Sequence, residues 1–253
     1  MDYKKIFEHQ LNHRTIREFK DEPVDPQLVE ALLEVANHSA TATGIQSFSI
    51  IRVTDPEKKR AIAQVGGQEY IARAPELWIF VADCFRNQQI AHEQLKEATP
   101  GENDADRLLQ AMTDAIIAAQ NVNSALESVG LGAVYLGSIL NDEAKLVEIL
   151  NLPKLTFAVL GLGFGVPNQQ PQLKPRMPLS LKVFENGYQV EENYLKAIED
   201  YDEEMTTYYD LRDANRRSDS FSRQIVTRLT QVNPKRQEIF KVIRDQGFDL
   251  KLD

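Results

Sequence analysis

The 253-residue chain carries 29 lysines and arginines against 38 aspartates and glutamates, which gives a formal net charge of −9. With 42% hydrophobic and 26% charged residues, it has an ordinary globular composition and enough apolar material for a sizeable core. The acidic balance disfavours a general nucleic-acid-binding protein, which needs a broad positive field. The longest apolar runs, at 77–82 and 156–165, fall far short of the roughly 20 residues of a membrane span.

Cysteine and histidine usage predicts neither a disulfide nor a metal site. Cys84 is the single cysteine, and its place at the end of an apolar run favours a reduced thiol over a catalytic nucleophile. The four histidines form no HExxH motif. The N-terminal sequence MDYKKIFEHQ has no apolar stretch of the kind found in secretory signals. We therefore expect a reduced, cytoplasmic protein.

Helix signals recur along the chain. Asp25-Pro26 and Asp55-Pro56 each place an aspartate as N-cap before a proline at the first helical position. Apolar residues at three- and four-residue steps predict the longest helix at 104–129, with Gly130 as its C-cap. Small residues in that stripe would let a neighbouring element approach closely. These small residues are Ala115, Ala118, Ala119 and Ala125.

Short β-branched or apolar runs alternate with these helices and predict strands. The predicted strands are 47–54, 76–82, 132–136, 155–161 and the LKVF run after Pro178. The run 76–82 is apolar on both faces and predicts an interior strand. Two or three polar helices follow at about 193–210, 220–231 and 235–246. The pattern predicts an α+β (mixed α/β) fold, with one domain over residues 1–253 and a helical C-terminal extension from about residue 190.

Two basic segments could bind anions. The segment 13–17, HRTIR, lies between two helical stretches and offers guanidinium and hydroxyl donors, which suit phosphate oxygens. Lys174 and Arg176 are two residues apart in a proline-rich loop that would point both side chains the same way. By residue type alone, each segment is also compatible with a solvated surface loop.

Glycine-rich and arginine-rich segments complete the set of candidates. The segment 130–138, GLGAVYLGS, predicts a strand that ends at Gly137 and Ser138, where glycine lets a flat ligand approach the backbone. The stretch GLGFG at 161–165 lacks GxGxxG spacing and is followed by no helix start, so it does not indicate a dinucleotide-binding fold. The segment 212–217, RDANRR, is either an anion site or a solvated loop.

In their order and spacing, these segments resemble the nitroreductase superfamily, and in particular its branch of oxygen-insensitive NADPH nitroreductases and flavin reductases. The resemblance covers nearly the whole chain. It rests on HRTIR with FKDEPV behind it, SIIRVTD, GGQEYI, WIFVAD, AAQN, ESVGLGAVYLGSILN, GLGFGVP, LKPRMP, FENGY, YDEEM with the following YY, and the final RR. It implies a central mixed β-sheet flanked by helices and an intertwined homodimer that binds FMN at its interface, with the helix 104–129 as the central interface helix.

The resemblance also assigns the phosphate and pyrimidine ends of FMN. The residues that would bind the phosphate and ribityl chain are His13, Arg14, Thr15, Lys174 and Arg176. Arg17 would lie beside the pyrimidine edge as the catalytic residue, because a cation there stabilises the anionic reduced flavin. The amide of Gln68 would read the same edge.

The remaining assignments concern the flavin ring, the partner subunit and the electron donor. The backbone near flavin N5 would come from Tyr135, Leu136, Gly137 and Ser138. Thr41 and Thr43 fall where the family has serines that contact FMN from the partner subunit. Arg212 and Arg216 match arginines that bind the 2′-phosphate of NADPH. No metal is expected.

Several positions depart from the family pattern. Thr15 replaces a serine but keeps the hydroxyl, and Ser138 stands where a second glycine is common, which crowds the flavin face slightly. The run 41–44 is less rich in serine than usual. The loop 212–217 is one residue shorter than in close relatives, which bears on the choice of NADPH over NADH.

The implied activity is that of an FMN-dependent NADPH oxidoreductase with ping-pong kinetics. NADPH would give a hydride to FMN N5 and leave, and a nitroaromatic, a quinone or free flavin would then take the electrons. One alternative is an NAD(P)H:FMN reductase with free flavin as its main acceptor, and another is a non-catalytic flavin-binding sensor. A flavin-destroying branch of the superfamily is a further rival, against which the arginine-rich loop argues. Neither nucleic acid nor membrane is an expected partner.

Overall fold

The computed structural model describes residues 2–210 and 216–251. The chain folds into two compact units. The larger unit combines the chain up to Gln169 with the chain from Asn233 onward, and the smaller unit is Gln170–Val232. The C-terminal helices, which we predicted as one extension, are therefore shared between the two units.

The larger unit is built on a four-stranded sheet with the strand order β1-β2-β4-β3. The strands are β1 (Phe48–Arg52), β2 (Glu76–Asp83), β3 (Gly132–Leu136) and β4 (Thr156–Gly165). All three neighbouring pairs are antiparallel. The expectation of a mixed sheet is therefore wrong for these strands, and parallel pairing occurs instead at isolated bridges such as Thr15 with Ala133.

The α-helices alternate with these strands, as the sequence predicts for an α+β fold. They are α1 (Tyr3–Ile6), α2 (Glu8–Leu11), α3 (Pro26–Asn37), α4 (Pro56–Gly66), α5 (Tyr70–Arg73), α6 (Phe85–Leu95), α7 (Ala105–Ser128), α8 (Glu143–Leu150), α9 (Tyr194–Ala197), α10 (Glu199–Thr207), α11 (Phe221–Thr230), α12 (Pro234–Gln237) and α13 (Ile239–Asp245). Both predicted aspartate-proline starts are confirmed, since Asp25 and Asp55 cap α3 and α4 through bonds of 2.9 and 2.8 Å.

Strand β2 separates two hydrophobic cores, one on each face of the sheet. It lies between β1 and β4, and all of its residues are buried, which confirms the predicted interior strand. Trp78 and Phe80 face a core that they share with residues of α3 and α7. Leu77 and Ile79 face the opposite core, shared with residues of α4 and α8.

Helix α7 matches its prediction to within one residue at each end, and its small residues lie against the sheet. Its C-cap is Val129, and Gly130 follows with a φ of +83°, a left-handed conformation that suits glycine. Ala115, Ala118 and Ala119 are fully buried in the same core as the sheet residues. Ala115, Ala118 and Ala119 therefore let α7 pack closely against its own sheet, and the predicted place of this helix at a subunit interface stays a prediction.

The smaller unit contains α9, α10 and α11 with a short hairpin of β5 (Tyr209–Asp210) and β6 (Arg216–Arg217). Ile198, Tyr201 and Met205 form its core. The strand predicted for LKVF is wrong, because Leu179–Leu181 forms a 3-10 turn there. Val183 is 64% exposed, so this run has no buried face to support a strand.

No helix among residues 2–210 and 216–251 is both long enough and apolar enough to cross a membrane.

A buried carboxyl group marks the start of α8. Glu143 is 2% exposed, its Oε1 accepts a hydrogen bond from the Ala158 N–H at 3.2 Å, and its Oε2 has no partner among the described residues. Burial raises the pKa of Glu143 to about 8, against the smaller opposing effect of the Ala158 N–H. The folded protein therefore holds a proton on this group at neutral pH.

This proton makes folding stability depend on pH. Between about pH 4 and the folded-state pKa, the folded chain binds a proton that the unfolded chain has lost, so the free energy of unfolding falls as the pH rises. We expect Glu143→Gln to match the wild type near pH 5 and to exceed its free energy of unfolding near pH 9 by roughly 3 kcal/mol. Urea unfolding at both pH values measures this, with Glu148→Gln, on the exposed side of the same helix, as the control. Equal pH profiles for the wild type and Glu143→Gln would contradict the assignment.

Candidate flavin site along strand β3

The segment 13–17 runs along the free edge of β3. Thr15 forms a parallel bridge with Ala133, and the Ile16 N–H donates to the Ala133 carbonyl at 2.8 Å. The Ile16 side chain is buried over Gly132, where an added Cβ would lie 2.5 Å from Ile16 Cγ1. Glycine at position 132 therefore makes room for the segment that carries the predicted phosphate ligands.

His13 and Arg14 stand at the start of this segment. His13 Nδ1 lies 2.5 Å from Glu127 Oε1 on α7, and this contact leaves the Nε2 edge of the ring for another partner. Arg14 Nη1 donates to the carbonyl of Asn12 at 2.8 Å. His13, Arg14 and Thr15 are consecutive in the chain, and their joint binding of a phosphate stays a prediction.

Arg17 presents an unpaired donor. Its backbone N–H donates to Gln169 Oε1 at 3.0 Å, and the same oxygen accepts from the Glu18 N–H at 2.7 Å. The side-chain Nε of Arg17 is buried without a hydrogen-bond partner in the part of the chain that the structure describes. A buried N–H without an acceptor is costly, so this nitrogen is suited to an acceptor supplied by a ligand.

The end of β3 leaves space beside the backbone. Tyr135 is partly exposed, and its hydroxyl lies 3.1 Å from both the Ala119 carbonyl and Gln120 Oε1. Leu136 is buried, but a Cβ added to Gly137 would meet nothing within 4 Å. This open surface agrees with the predicted approach of a flat ligand to the backbone.

Gln68 joins this region from the loop between α4 and α5. Its Oε1 accepts hydrogen bonds from the Ser138 hydroxyl at 2.7 Å and from the Tyr70 hydroxyl at 2.8 Å. The structure therefore brings together the segment 13–17, Gln68 and the segment 135–138, which are far apart in the sequence.

The loop with Thr41 and Thr43 is anchored elsewhere, on α7. Asp114 is fully buried and accepts from the Ala42 N–H at 2.7 Å and from the Ser47 N–H at 3.0 Å. Thr43 is exposed and has a φ of +52°. The contribution of this loop to the site of a partner subunit stays a prediction.

Sequence reasoning missed three residues that organise this region. They are Asp114, Glu127 and Arg236. Arg236 Nη1 donates to the Gly137 carbonyl at 3.0 Å and to Asn141 Oδ1 at 3.2 Å. A signal existed for Asp114, because a carboxylate in phase with the apolar stripe of α7 is unexpected unless it has buried donors to bind. Glu127 and Arg236 gave no such signal.

The other predicted ligands belong to the smaller unit. Lys174 is half-buried, and Arg176 is exposed. Burial raises the pKa of Tyr201, and the charge of Arg176 opposes that rise, which places this cation near the core of the smaller unit. Arg212 lies outside the described residues, and only the backbone of Arg216 is described, in β6. The roles of these four residues stay predictions.

Cys84 and the histidines show no separate chemistry. Cys84 is 6% exposed, and burial raises its pKa to about 11, which keeps it a thiol at neutral pH. His9 and His13 are four residues apart, but the described residues contain no group of three or more histidine, cysteine, aspartate or glutamate side chains placed to hold a metal ion.

Comparison with known proteins agrees with this geometry. The model of the nitroreductase family matches residues 11–166, and that of the nitroreductase family C-terminal domain matches residues 174–251. The oxygen-insensitive NADPH nitroreductase of Salmonella typhimurium is 39% identical over 237 residues, which cover 93% of this chain and 95% of that protein. The FMN reductase (NADPH) of Bacillus subtilis is 32% identical over 241 residues, covering 94% and 96%.

Solved structures extend the match to the fold. The NfrA1 nitroreductase of B. subtilis has a TM-score of 0.87 and 32% identity, and it covers 96% of this chain and 98% of its own. The NADPH:FMN oxidoreductase of Vibrio harveyi, solved with NAD+, has a TM-score of 0.83 and 31% identity over 96% and 97%. The chain belongs to the nitroreductase family, and the predicted family is confirmed.

Gly132 offers a test of how the segment 13–17 is held. In Gly132→Ala the new methyl group would collide with Ile16, so we expect the free energy of unfolding to fall by roughly 1–3 kcal/mol. Urea unfolding measures the change. Gly101→Ala is the matched control, because its added Cβ meets nothing within 4 Å. A Gly132→Ala variant as stable as the control would show that Ile16 is not fixed in this position.

Proposed function

We propose that this chain is an FMN-dependent NADPH oxidoreductase that reduces nitroaromatics, quinones or free flavin. The observation that carries the proposal is the meeting of the segment 13–17, Gln68 and the segment 135–138 around open space at β3, with a buried N–H of Arg17 left unpaired among the described residues. The relatives named as NADPH nitroreductase and as FMN reductase support it.

The residues present fit FMN. The open backbone at Gly137 suits a flat ring, the Arg17 Nε lacks an acceptor within the described chain, and the basic side chains His13 and Arg14 with the Thr15 hydroxyl suit a phosphate. When bound, FMN supplies the redox chemistry by accepting a hydride from NADPH and passing the electrons to a second substrate. The chain itself binds and orients the reactants.

Each residue has a defined part in this arrangement. Arg17 would place a positive charge beside the ring and would favour any negative charge that develops there. Glu127 fixes the His13 ring by its contact with Nδ1, which would leave Nε2 to meet the ligand. Lys174 and Arg176 would complete the phosphate site.

Arg212 and Arg216 would select NADPH by its 2′-phosphate, because a guanidinium matches phosphate oxygens with two donors.

Two classes of electron acceptor follow from the relatives, since one is named as a nitroreductase and another as an FMN reductase. A surface on which a flat ring stacks would accept a nitroaromatic compound or a free flavin.

The proposed enzyme is a cytoplasmic homodimer. Three apolar side chains of α7 stay exposed in the single chain, Leu109 at 63%, Ile116 at 48% and Ile117 at 39%. Leu109 and Ile116 are two helical turns apart and so share one side of α7, away from its buried residues, and an apolar surface of this kind is suited to cover by a partner. A second copy of the chain would supply this cover and bring the loop with Thr41 and Thr43 into the neighbouring site.

The visible spectrum tests the cofactor and the donor together. Purified protein, or protein reconstituted with FMN, should show absorbance peaks at about 370 and 450 nm, as bound oxidised flavin does. The peak at about 450 nm should bleach on anaerobic addition of NADPH. NADH should bleach it more slowly if Arg212 and Arg216 read the 2′-phosphate. Protein that binds no added FMN would overturn the proposal, and bound FMN without turnover of a nitro compound or free flavin would leave only a flavin-binding protein.

Arg17 is the residue whose loss should slow the chemistry without loss of the fold. We expect Arg17→Ala to bind FMN but to be reduced by NADPH about 100-fold more slowly, since a cation aimed at developing charge has been removed. Stopped-flow bleaching at 450 nm measures the rate. Arg60→Ala, which removes an exposed arginine that pairs with Glu57 on the surface of α4, should keep the wild-type rate. An unchanged rate in Arg17→Ala would show that its charge does not act on the flavin.

A further inference from the structure

One buried carboxyl group ties together the two ends of the loop 42–47. Asp114 lies on α7 and is fully buried. Its Oδ1 accepts from the Ala42 N–H at 2.7 Å, and its Oδ2 accepts from the Ser47 N–H at 3.0 Å. A backbone N–H can only donate, so the direction of both hydrogen bonds is fixed. Both oxygens of Asp114 are therefore committed to this loop.

Helix α6 holds the same loop between those two ends. Asn87 Nδ2 donates to the Ile45 carbonyl at 3.0 Å, and it lies 2.9 Å from Ser47 Oγ. A carbonyl oxygen can only accept, so the amide of Asn87 must present its N–H to the loop. Arg86 Nη2 donates to the Gln46 carbonyl. The loop is thus bound from α6 as well as from α7.

The backbone that these bonds maintain is an unfavourable one. Thr43 and Gln46 each have a φ of +52°. This left-handed conformation is disfavoured for any residue with a side chain, and most of all for a β-branched one such as threonine. Both side chains are exposed, so burial of their own does not explain the conformation. The bonds from Asp114 lie on either side of the two residues and oppose their return to an ordinary φ.

We propose that Asp114 is a positioning residue, which keeps the loop left-handed at Thr43 and Gln46 and so sets where Thr41 and Thr43 meet the flavin of the partner subunit. The inference rests on the proposed function, to which the FMN and the homodimer belong. Strained backbone conformations persist where the surroundings impose them, and they cluster at ligand-binding sites. Asp114 itself does not touch the ligand and acts only through the loop.

Loss of one bond to the loop tests this role. In Asp114→Asn the side chain keeps its shape, but one accepting oxygen becomes an NH2 group, so one of the two backbone N–H groups loses its acceptor. We expect the full-length variant to bind FMN about tenfold more weakly, as measured by quenching of FMN fluorescence. Asn87→Ala removes the support from α6 at a half-buried position and should weaken FMN binding in the same direction.

A rescue experiment separates positioning from general stability. Glycine adopts a positive φ readily, so Gln46→Gly should return the loop to its place and recover most of the affinity lost in Asp114→Asn. Lys96→Gly is the matched control, because Lys96 has a φ of +63° at the C-terminal end of α6. In the Asp114→Asn background it should raise the urea midpoint, as Gln46→Gly does, but leave FMN binding weak.

Three results decide between the possibilities. A folded Asp114→Asn variant with the FMN affinity of the wild type would overturn the inference. Equal recovery of FMN binding by Gln46→Gly and Lys96→Gly would overturn it too, because Asp114 would then act only through the stability of the fold. If Asp114→Asn does not fold, the same comparison is made in the Asn87→Ala background. Failure of the wild type to bind FMN would instead refute the proposed function.

Discussion

The candidate flavin site depends on one close approach, that of Ile16 to Gly132. The absence of a side chain on Gly132 lets the segment 13–17 lie against the free edge of β3, where the Ile16 N–H bonds to the Ala133 carbonyl. The same strand leads directly into the segment 135–138. Two parts of the chain more than a hundred residues apart thus reach a common surface through the backbone of one edge strand. The basic side chains of the first are then set beside the open backbone of the second.

A second layer of contacts sets how these side chains point. Glu127 fixes the ring of His13, and Asp114 fixes the loop around Ala42, and both carboxylates belong to α7. This helix therefore packs against the sheet through its alanines, and its two carboxylates each bind a separate segment of the chain. The buried face of α7 packs against the interior strand β2. The two segments that Asp114 and Glu127 contact are therefore attached to the core of the larger unit.

Much of the fold was predictable, because its signals are local. The aspartate-proline starts of α3 and α4, the apolar period of α7 and the doubly buried strand β2 each follow from residues that are neighbours in the sequence. The strand predicted for LKVF failed because apolar residues alone do not provide a buried face. The partners of Glu127 and Gln68 were beyond prediction for a related reason, since a pair formed by two distant segments leaves no periodic trace in either. The alanines of α7 show the same limit, as their period predicts a close neighbour but not which one.

Strand β3 is also an edge strand of the sheet, with backbone hydrogen-bond donors and acceptors on its outer side. In many proteins such an edge invites pairing with another molecule, and charged or irregular segments are placed across it as protection. Here the segment 13–17 performs that task at Ala133, and it carries three basic residues over the strand. In the proposed enzyme, one stretch of chain would therefore both bind an anion and protect an edge strand from unwanted pairing. A change that detached it would uncover the edge of β3 as well as disrupt the candidate flavin site.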